Sequence, residues 1–156
     1  MKKSWVSVFG IFLFLFAAAL TSVSAQSVNG SIGNGTATRG KATRATVVLS
    51  IPGGLHANSN RPGSEYAIPT TVRATAKGVK IGAVSYPRGH NRKFGFSENT
   101  INVYEGRANF GFNVTVPANY SGSSVKINVT VKYQTCNDEV CYPPKSKQIT
   151  LTARVI

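Results

Sequence analysis

In this 156-residue chain only Cys136 and Cys141 combine a reactive side chain with a spacing that suits covalent chemistry. The run between them, Asn137-Asp138-Glu139-Val140, is mostly polar, as a loop demands, so the two thiols are neighbours at a loop tip. Such a pair does one of two things. It closes a permanent clip, for which the chain-entropy relation gives about 2 kcal/mol with so small a ring. Or it exchanges by thiolate attack, to which short, strained or exposed disulfides are prone. Spacing alone leaves both open. Hydrolytic chemistry has poorer material: the acids are Glu65, Glu98, Glu105, Asp138 and Glu139, and the neutral-pH bases are His56 and His90. No Ser-His-Asp spacing emerges, and two cysteines with two scattered histidines lack the paired spacing of a zinc site. We therefore expect no metal and no cofactor, and a structural hydrogen-bonding role for His56.

The elements on either side must hold the thiols. Val125, Ile127, Val129, Val131 and Tyr133 alternate with Lys126, Asn128, Thr130 and Lys132, the period of a half-buried strand. Ile149, Leu151, Ala153 and Val155 alternate in the same way beyond Pro143-Pro144. Strand, cysteine loop and returning strand form a long antiparallel hairpin. Upstream, Thr46 to Ile51, Ile68 to Ala76, Val79-Ile81-Ala83, Thr100 to Tyr104 and Ala108 to Val116 have strand character, with Tyr86-Pro87 and Glu105-Gly106 as turn signals. About seven short strands, with no sustained helical period and no internal repeat, predict an all-β chain folded as an immunoglobulin-like β-sandwich.

The amino terminus reads as an export signal. Lys2 and Lys3 precede an apolar run from Trp5 to Leu20, and Val23-Ser24-Ala25 supplies the small residues a signal peptidase accepts, so residues 1–25 are expected to be removed. The apolar run falls short of the ~20 residues that span a bilayer, so no membrane span is expected after removal. Residues 26–43 are Gly, Ser, Asn and Thr with little apolar besides Val28 and Ile32, and are expected to be a flexible lead-in. Residues 44–156 then form one domain. Eighteen Lys and Arg against five Asp and Glu give +13, or +11 without Lys2 and Lys3. An excess of that size suits nucleic acid, an anionic membrane or acidic proteins. Export argues against nucleic acid, and the dispersed basic residues read mainly as a solvated surface. Asn-x-Ser/Thr triplets at Asn29, Asn34, Asn113, Asn119 and Asn128 mean glycosylation only in a host that performs it.

The strings Tyr133-Gln134-Thr135-Cys136 and Cys141-Tyr142-Pro143-Pro144 resemble the active-site signature of the amino-terminal periplasmic domain of the thiol:disulfide interchange protein DsbD. Leu55-His56-Ala57-Asn58, Glu65-Tyr66 and Ile68-Pro69-Thr70 resemble the His-x-Asn and Ile-Pro-Thr segments of that family, so the likeness brackets roughly residues 44 to 156. The resemblance implies an immunoglobulin-like fold and a reversible dithiol, Cys136 and Cys141, that passes electrons to or from thioredoxin-like partners. The best-known members have one more residue between the cysteines and are fused to a transmembrane electron conduit and a thioredoxin-like domain. This chain has neither, so the resemblance implies a donor on another polypeptide. The alternative function is a non-catalytic secreted sandwich with a permanent Cys136–Cys141 bond.

In the resembled family a cap loop with a Phe shields the oxidised cysteines. By position this is the Gly-containing segment Tyr86 to Phe96, with Phe94 or Phe96 as the shield and Arg92 and Lys93 beside it as cations that favour thiolate. The plain alternative makes both rings sandwich core. Within the loop Asp138 and Glu139 raise the thiol pKa values and Lys132, Lys145 and Lys147 lower them. Tyr133 and Tyr142 flank the cysteines as packing support.

Overall fold

The computed structural model describes residues 25–156; the first 24 residues of the expected signal peptide lie outside the described part. Alternation of apolar and polar residues runs through most of this length. Accordingly the described residues form twelve strands and no helix: β1 (Ser27–Ile32), β2 (Thr36–Ala37), β3 (Ala42–Ser50), β4 (His56–Asn58), β5 (Thr71–Thr75), β6 (Lys80–Ile81), β7 (His90–Arg92), β8 (Ile101–Tyr104), β9 (Arg107–Thr115), β10 (Ser124–Tyr133), β11 (Thr135–Cys136) and β12 (Lys145–Val155). Seven correspond to the expected strands. The other five are short or polar segments recruited by pairing.

Two sheets make the sandwich, one ordered β1-β3-β9-β6 and the other β2-β12-β10-β5. All their pairs are antiparallel except β12 with β2. Because side chains alternate across a strand, each sheet offers one apolar face. Ala45, Val47 and Leu49 of β3, Phe110, Phe112 and Val114 of β9, and Val125, Ile127, Val129 and Val131 of β10 meet in one buried cluster. Full burial of a side chain of this size stabilises by about 1.5–3 kcal/mol, so this layer holds the fold. A third sheet, β11-β4-β8-β7, all antiparallel, extends from one end of the sandwich and carries the cysteine loop.

The expected flexible lead-in is instead an edge strand. β1 pairs with β3 from Ser27↔Ser50 to Ile32↔Ala45, with Val28 and Ile32 buried. An edge strand needs an apolar residue only where it faces the core, so low apolar content did not prevent ordering. Gly30 is required by close approach, since a Cβ there would lie 2.5 Å from the Thr46 carbonyl oxygen. The folded domain therefore begins at Ser27, not at residue 44.

Candidate functional site: the cysteine loop and its cover

β10 and β12 run in register from Ser124↔Arg154 to Tyr133↔Lys145, and the cysteine loop is the segment that joins them. Pro143 and Pro144 precede β12 directly, where their missing N–H groups remove no ladder bond. At its tip Asn137 makes an Asx turn: its Oδ1 accepts from the Glu139 and Val140 amides at 2.9 and 2.7 Å. The Asn137 amide donates to the Val140 carbonyl at 3.0 Å, and the Tyr142 amide to that of Thr135 at 2.9 Å. These bonds turn the chain back on itself, so Cys136 and Cys141 face each other as an antiparallel bridge. Their sulfurs are joined at 2.02 Å with Cα atoms 3.9 Å apart. The two ends differ in access. Cys136 is fully buried, whereas Cys141 is half-buried and lines an open cavity of about 730 Å³ with Tyr66, Ala67, Phe96, Ile101 and Gln134.

β4 is the foundation of this loop. Ala57 and His56 lie opposite Thr135 and Cys136. Gln134 Oε1 accepts from Asn58 Nδ2 at 3.0 Å and from the Ile68 amide at 3.4 Å. The Gln134 Nε2 donates to the Tyr142 carbonyl at 3.2 Å. Asn58 Nδ2 also donates to the Ile68 carbonyl at 3.1 Å, and Thr70 Oγ1 to the Asn58 carbonyl at 2.6 Å. The separated strings containing Gln134, Asn58, Ile68 and Thr70 are thus one hydrogen-bond network around the disulfide. Tyr133 and Tyr142 part company here. Tyr133 is fully buried in the main core, and that burial pushes its phenol pKa up. Tyr142 is exposed and receives an Nδ2–H bond from Asn137 at 3.4 Å.

The segment expected as a long loop contains β7, which pairs with β8 from His90↔Val103 to Arg92↔Ile101 and makes a second hairpin over the site. In its connection, Phe94 is buried in a small cluster with Ile101 and Val103, separate from the sandwich core. Its ring stacks on His56 at 4.1 Å and on Phe96 at 5.2 Å, and Phe96 is exposed. The order Phe96, Phe94, His56 therefore runs inward from solvent to the residue opposite Cys136. His56 is buried with Nε2 unpartnered. Burial first, then the Arg92 charge, holds its pKa below the ordinary histidine value. Its place in an aromatic stack, missed by the structural hydrogen-bonding expectation, comes from the long-range pairing of β4 with β11.

Arg92 and Lys93 both have oxygen partners. Arg92 pairs with Glu105 and, at 3.1 Å, with Asp138 of the cysteine loop. Its hydrogen bond to Glu105 raises the guanidinium pKa and holds the Glu105 carboxyl below its usual range. Lys93 Nζ donates to the Glu98 carbonyl. One ion pair, Arg92–Asp138, thus ties the β7–β8 hairpin to the cysteine loop. Among the described residues no group of three or more His, Cys, Asp or Glu could hold a metal ion.

A disulfide at a hairpin tip, borne on a loop that pairs with β4 beside the His56–Phe94–Phe96 stack, can be placed among known proteins. The family model for the thiol:disulfide interchange protein DsbD, N-terminal, matches residues 32–153. The chain belongs to the DsbD amino-terminal domain family. Among solved structures it resembles the N-terminal periplasmic domain of ScsB from Proteus mirabilis, with a TM-score of 0.52 and 10% identity over 80% of this chain and 44% of that one. It is also similar to the reduced DsbD N-terminal domain of Neisseria meningitidis, at 20% identity over 70% of this chain and 77% of that one, with a TM-score of 0.47. A sequence search of curated proteins finds no match. The family is one of thiol–disulfide interchange, its fold is immunoglobulin-like, and its cysteine pair here is bonded. No helix among the described residues is long and apolar enough to cross a membrane.

Proposed function

We propose that this is an exported, periplasmic or secreted thiol–disulfide exchange domain that carries two electrons on the Cys136–Cys141 pair, to or from a thioredoxin-like protein, with a separate membrane electron conduit as the other partner. The observation that carries the proposal is the unequal access of the two sulfurs. Cys136 is fully buried opposite His56, while Cys141 lines an open cavity. An incoming thiolate therefore attacks the Cys141 sulfur. The S–S bond breaks, Cys136 leaves as a thiolate, and a mixed disulfide joins Cys141 to the partner. A second partner thiolate then attacks its own sulfur in that mixed disulfide and releases Cys141. The partner ends as a disulfide and this domain as a dithiol, having gained two electrons and two protons; the reverse sequence reduces the partner. Adjacent sulfurs make the resolving step intramolecular, so proximity supplies most of the acceleration.

Phe94 and Phe96 serve as the shield that limits which thiols reach the sulfurs, Tyr142 supports the loop from outside, and Tyr133 anchors it to the core. Trapping tests the proposal. Cys136→Ser should accumulate a mixed disulfide through Cys141 with a thioredoxin-like protein, and Cys141→Ser should give far less. An adduct from neither variant identifies the bond as a permanent clip in a non-catalytic sandwich.

A further inference from the structure

The acidic side chains of this domain are confined to one end, whereas the basic ones are not. All five carboxylates lie at the cysteine end: Glu65 and Glu98 line the Cys141 cavity, Glu105 and Asp138 share Arg92, and Glu139 is in the loop itself. The outer face of the β2-β12-β10-β5 sheet has the opposite character. Its outward positions follow from the register with buried Val125, Ile127, Val129 and Val131. They are Ser124, Lys126, Asn128, Thr130 and Lys132 on β10, Thr71, Arg73 and Thr75 on β5, and Ser146, Gln148, Thr150, Thr152 and Arg154 on β12. Arg73, Lys126, Lys132 and Arg154 are exposed, and none belongs to an ion pair among the described residues. Between them stand only short neutral polar side chains. The face therefore presents four cations and no carboxylate side chain, and Lys126 and Lys132 alone are about 20 Å apart along β10.

We propose that this sheet face is a docking surface for an anionic phospholipid bilayer. Charge complementarity selects the occupant. An array of well-spaced cations matches a plane of lipid phosphates, whereas a protein interface needs an apolar core and shape complementarity; the one open depression on this face, about 590 Å³ beside Tyr120 and Ala76, lies at its end near Thr75 and Ser124 and not at its centre. At the cysteine end, by contrast, carboxylates and cations are mixed, with Arg92 paired to Glu105 and Asp138, so the stronger attraction is to the sheet face. Docked face-down, the domain holds the β10–β12 hairpin parallel to the membrane. Its tip, with Cys141 and the cavity, points sideways and stays open to partners. The opposite sheet is a poorer match. It carries Arg44, Lys80 and Arg107, but the Arg44 guanidinium lies down over Gly111.

Co-sedimentation of the purified protein with vesicles tests this. Vesicles of phosphatidylglycerol and phosphatidylcholine should pull it down in dilute salt, release it at 0.5 M salt, and phosphatidylcholine alone should not bind it. Each cation near such a surface contributes about fivefold, so Lys126→Gln with Lys132→Gln should weaken binding about 25-fold. Lys80→Gln with Arg107→Gln removes the same charge from the opposite sheet and should change binding less than about threefold on the same scale. Equal weakening by the two pairs overturns the proposal, because binding then follows net charge and not a face. So does absence of phosphatidylglycerol-dependent binding. Tighter binding to a soluble sulfated polysaccharide than to the vesicles at equal anion concentration also overturns it, in favour of a polyanionic polymer. Thiol exchange does not enter the assay, so neither result bears on the redox reading.

Discussion

Replacing Phe94 by Ala separates a cover from a core. The ring is 3% exposed, stacks on both His56 and Phe96, and packs with Ile101 and Val103 outside the sandwich cluster. Loss of a buried Phe costs about 3–5 kcal/mol where the surroundings stay rigid. This cluster sits under a hairpin of only three paired positions, which collapses more readily, so the lower end, about 3 kcal/mol, is appropriate. If that energy holds the β7–β8 hairpin closed, its loss appears as local opening rather than global unfolding. At 1.4 kcal/mol per decade, the open fraction rises about 100-fold. Reduction of the disulfide by dithiothreitol, followed by thiol counting, should accelerate toward that factor, up to the rate of the uncovered bond. The guanidinium unfolding midpoint of the sandwich should move far less than 3 kcal/mol implies. Phe96→Ala, at an exposed ring, should accelerate reduction only severalfold. An unfolded Phe94→Ala domain, or a folded one reduced at the wild-type rate, refutes the reasoning.

Three further outcomes follow from the same geometry. His56 has its pKa lowered by burial and by Arg92. The unfolded state therefore binds the proton first as pH falls below about 6.5, and stability should decline toward pH 5. His56→Phe keeps the stack and should flatten that decline in urea titrations at each pH; an unchanged slope contradicts it. Gln134→Leu removes the acceptor of buried Asn58 and the tie to Tyr142. It should cost about 2 kcal/mol by denaturant unfolding, and a loss below about 0.5 kcal/mol would mean the network is dispensable. Arg92→Gln removes the exposed tie to Asp138 and should speed reduction by about twofold in dilute salt and not at all at 0.5 M, measured as for Phe94.

The sandwich was legible wherever a strand is long enough to alternate. β9, β10 and β12 each bury every second residue along their core-facing stretch, and periodicity found them. β4 and β7 escaped for opposite reasons. His56, Ala57 and Asn58 are all buried because β4 lies between β8 and β11, and His90, Asn91 and Arg92 are polar because β7 is an edge. Three residues without alternation carry no period to read. β1 escaped because composition was averaged across the lead-in, while only Val28 and Ile32 needed to face inward. At the site, the two cysteine strings and the His-x-Asn and Ile-Pro-Thr segments stood out as types. That Gln134 hydrogen-bonds to Asn58 and Ile68 depends on β4 pairing with β11, a contact between residues nearly eighty positions apart. The engagement of Arg92 with Glu105 and Asp138 is likewise a product of the third sheet.

The reduction potential tests the central claim most directly. A permanent clip in an exported protein lies below about −300 mV, and exchanging pairs lie roughly between −120 and −270 mV. Cys136 and Cys141 close a small ring at a hairpin tip, one sulfur reachable from a cavity and the whole held by a network that does not require the S–S bond. The dithiol form therefore keeps its loop, and the bond adds little that reduction must overcome. Equilibrated in glutathione and dithiothreitol buffers and scored by free-thiol counting, the purified protein should titrate within the exchanging range. A midpoint well below −300 mV would contradict the account and leave the pair as a structural clip.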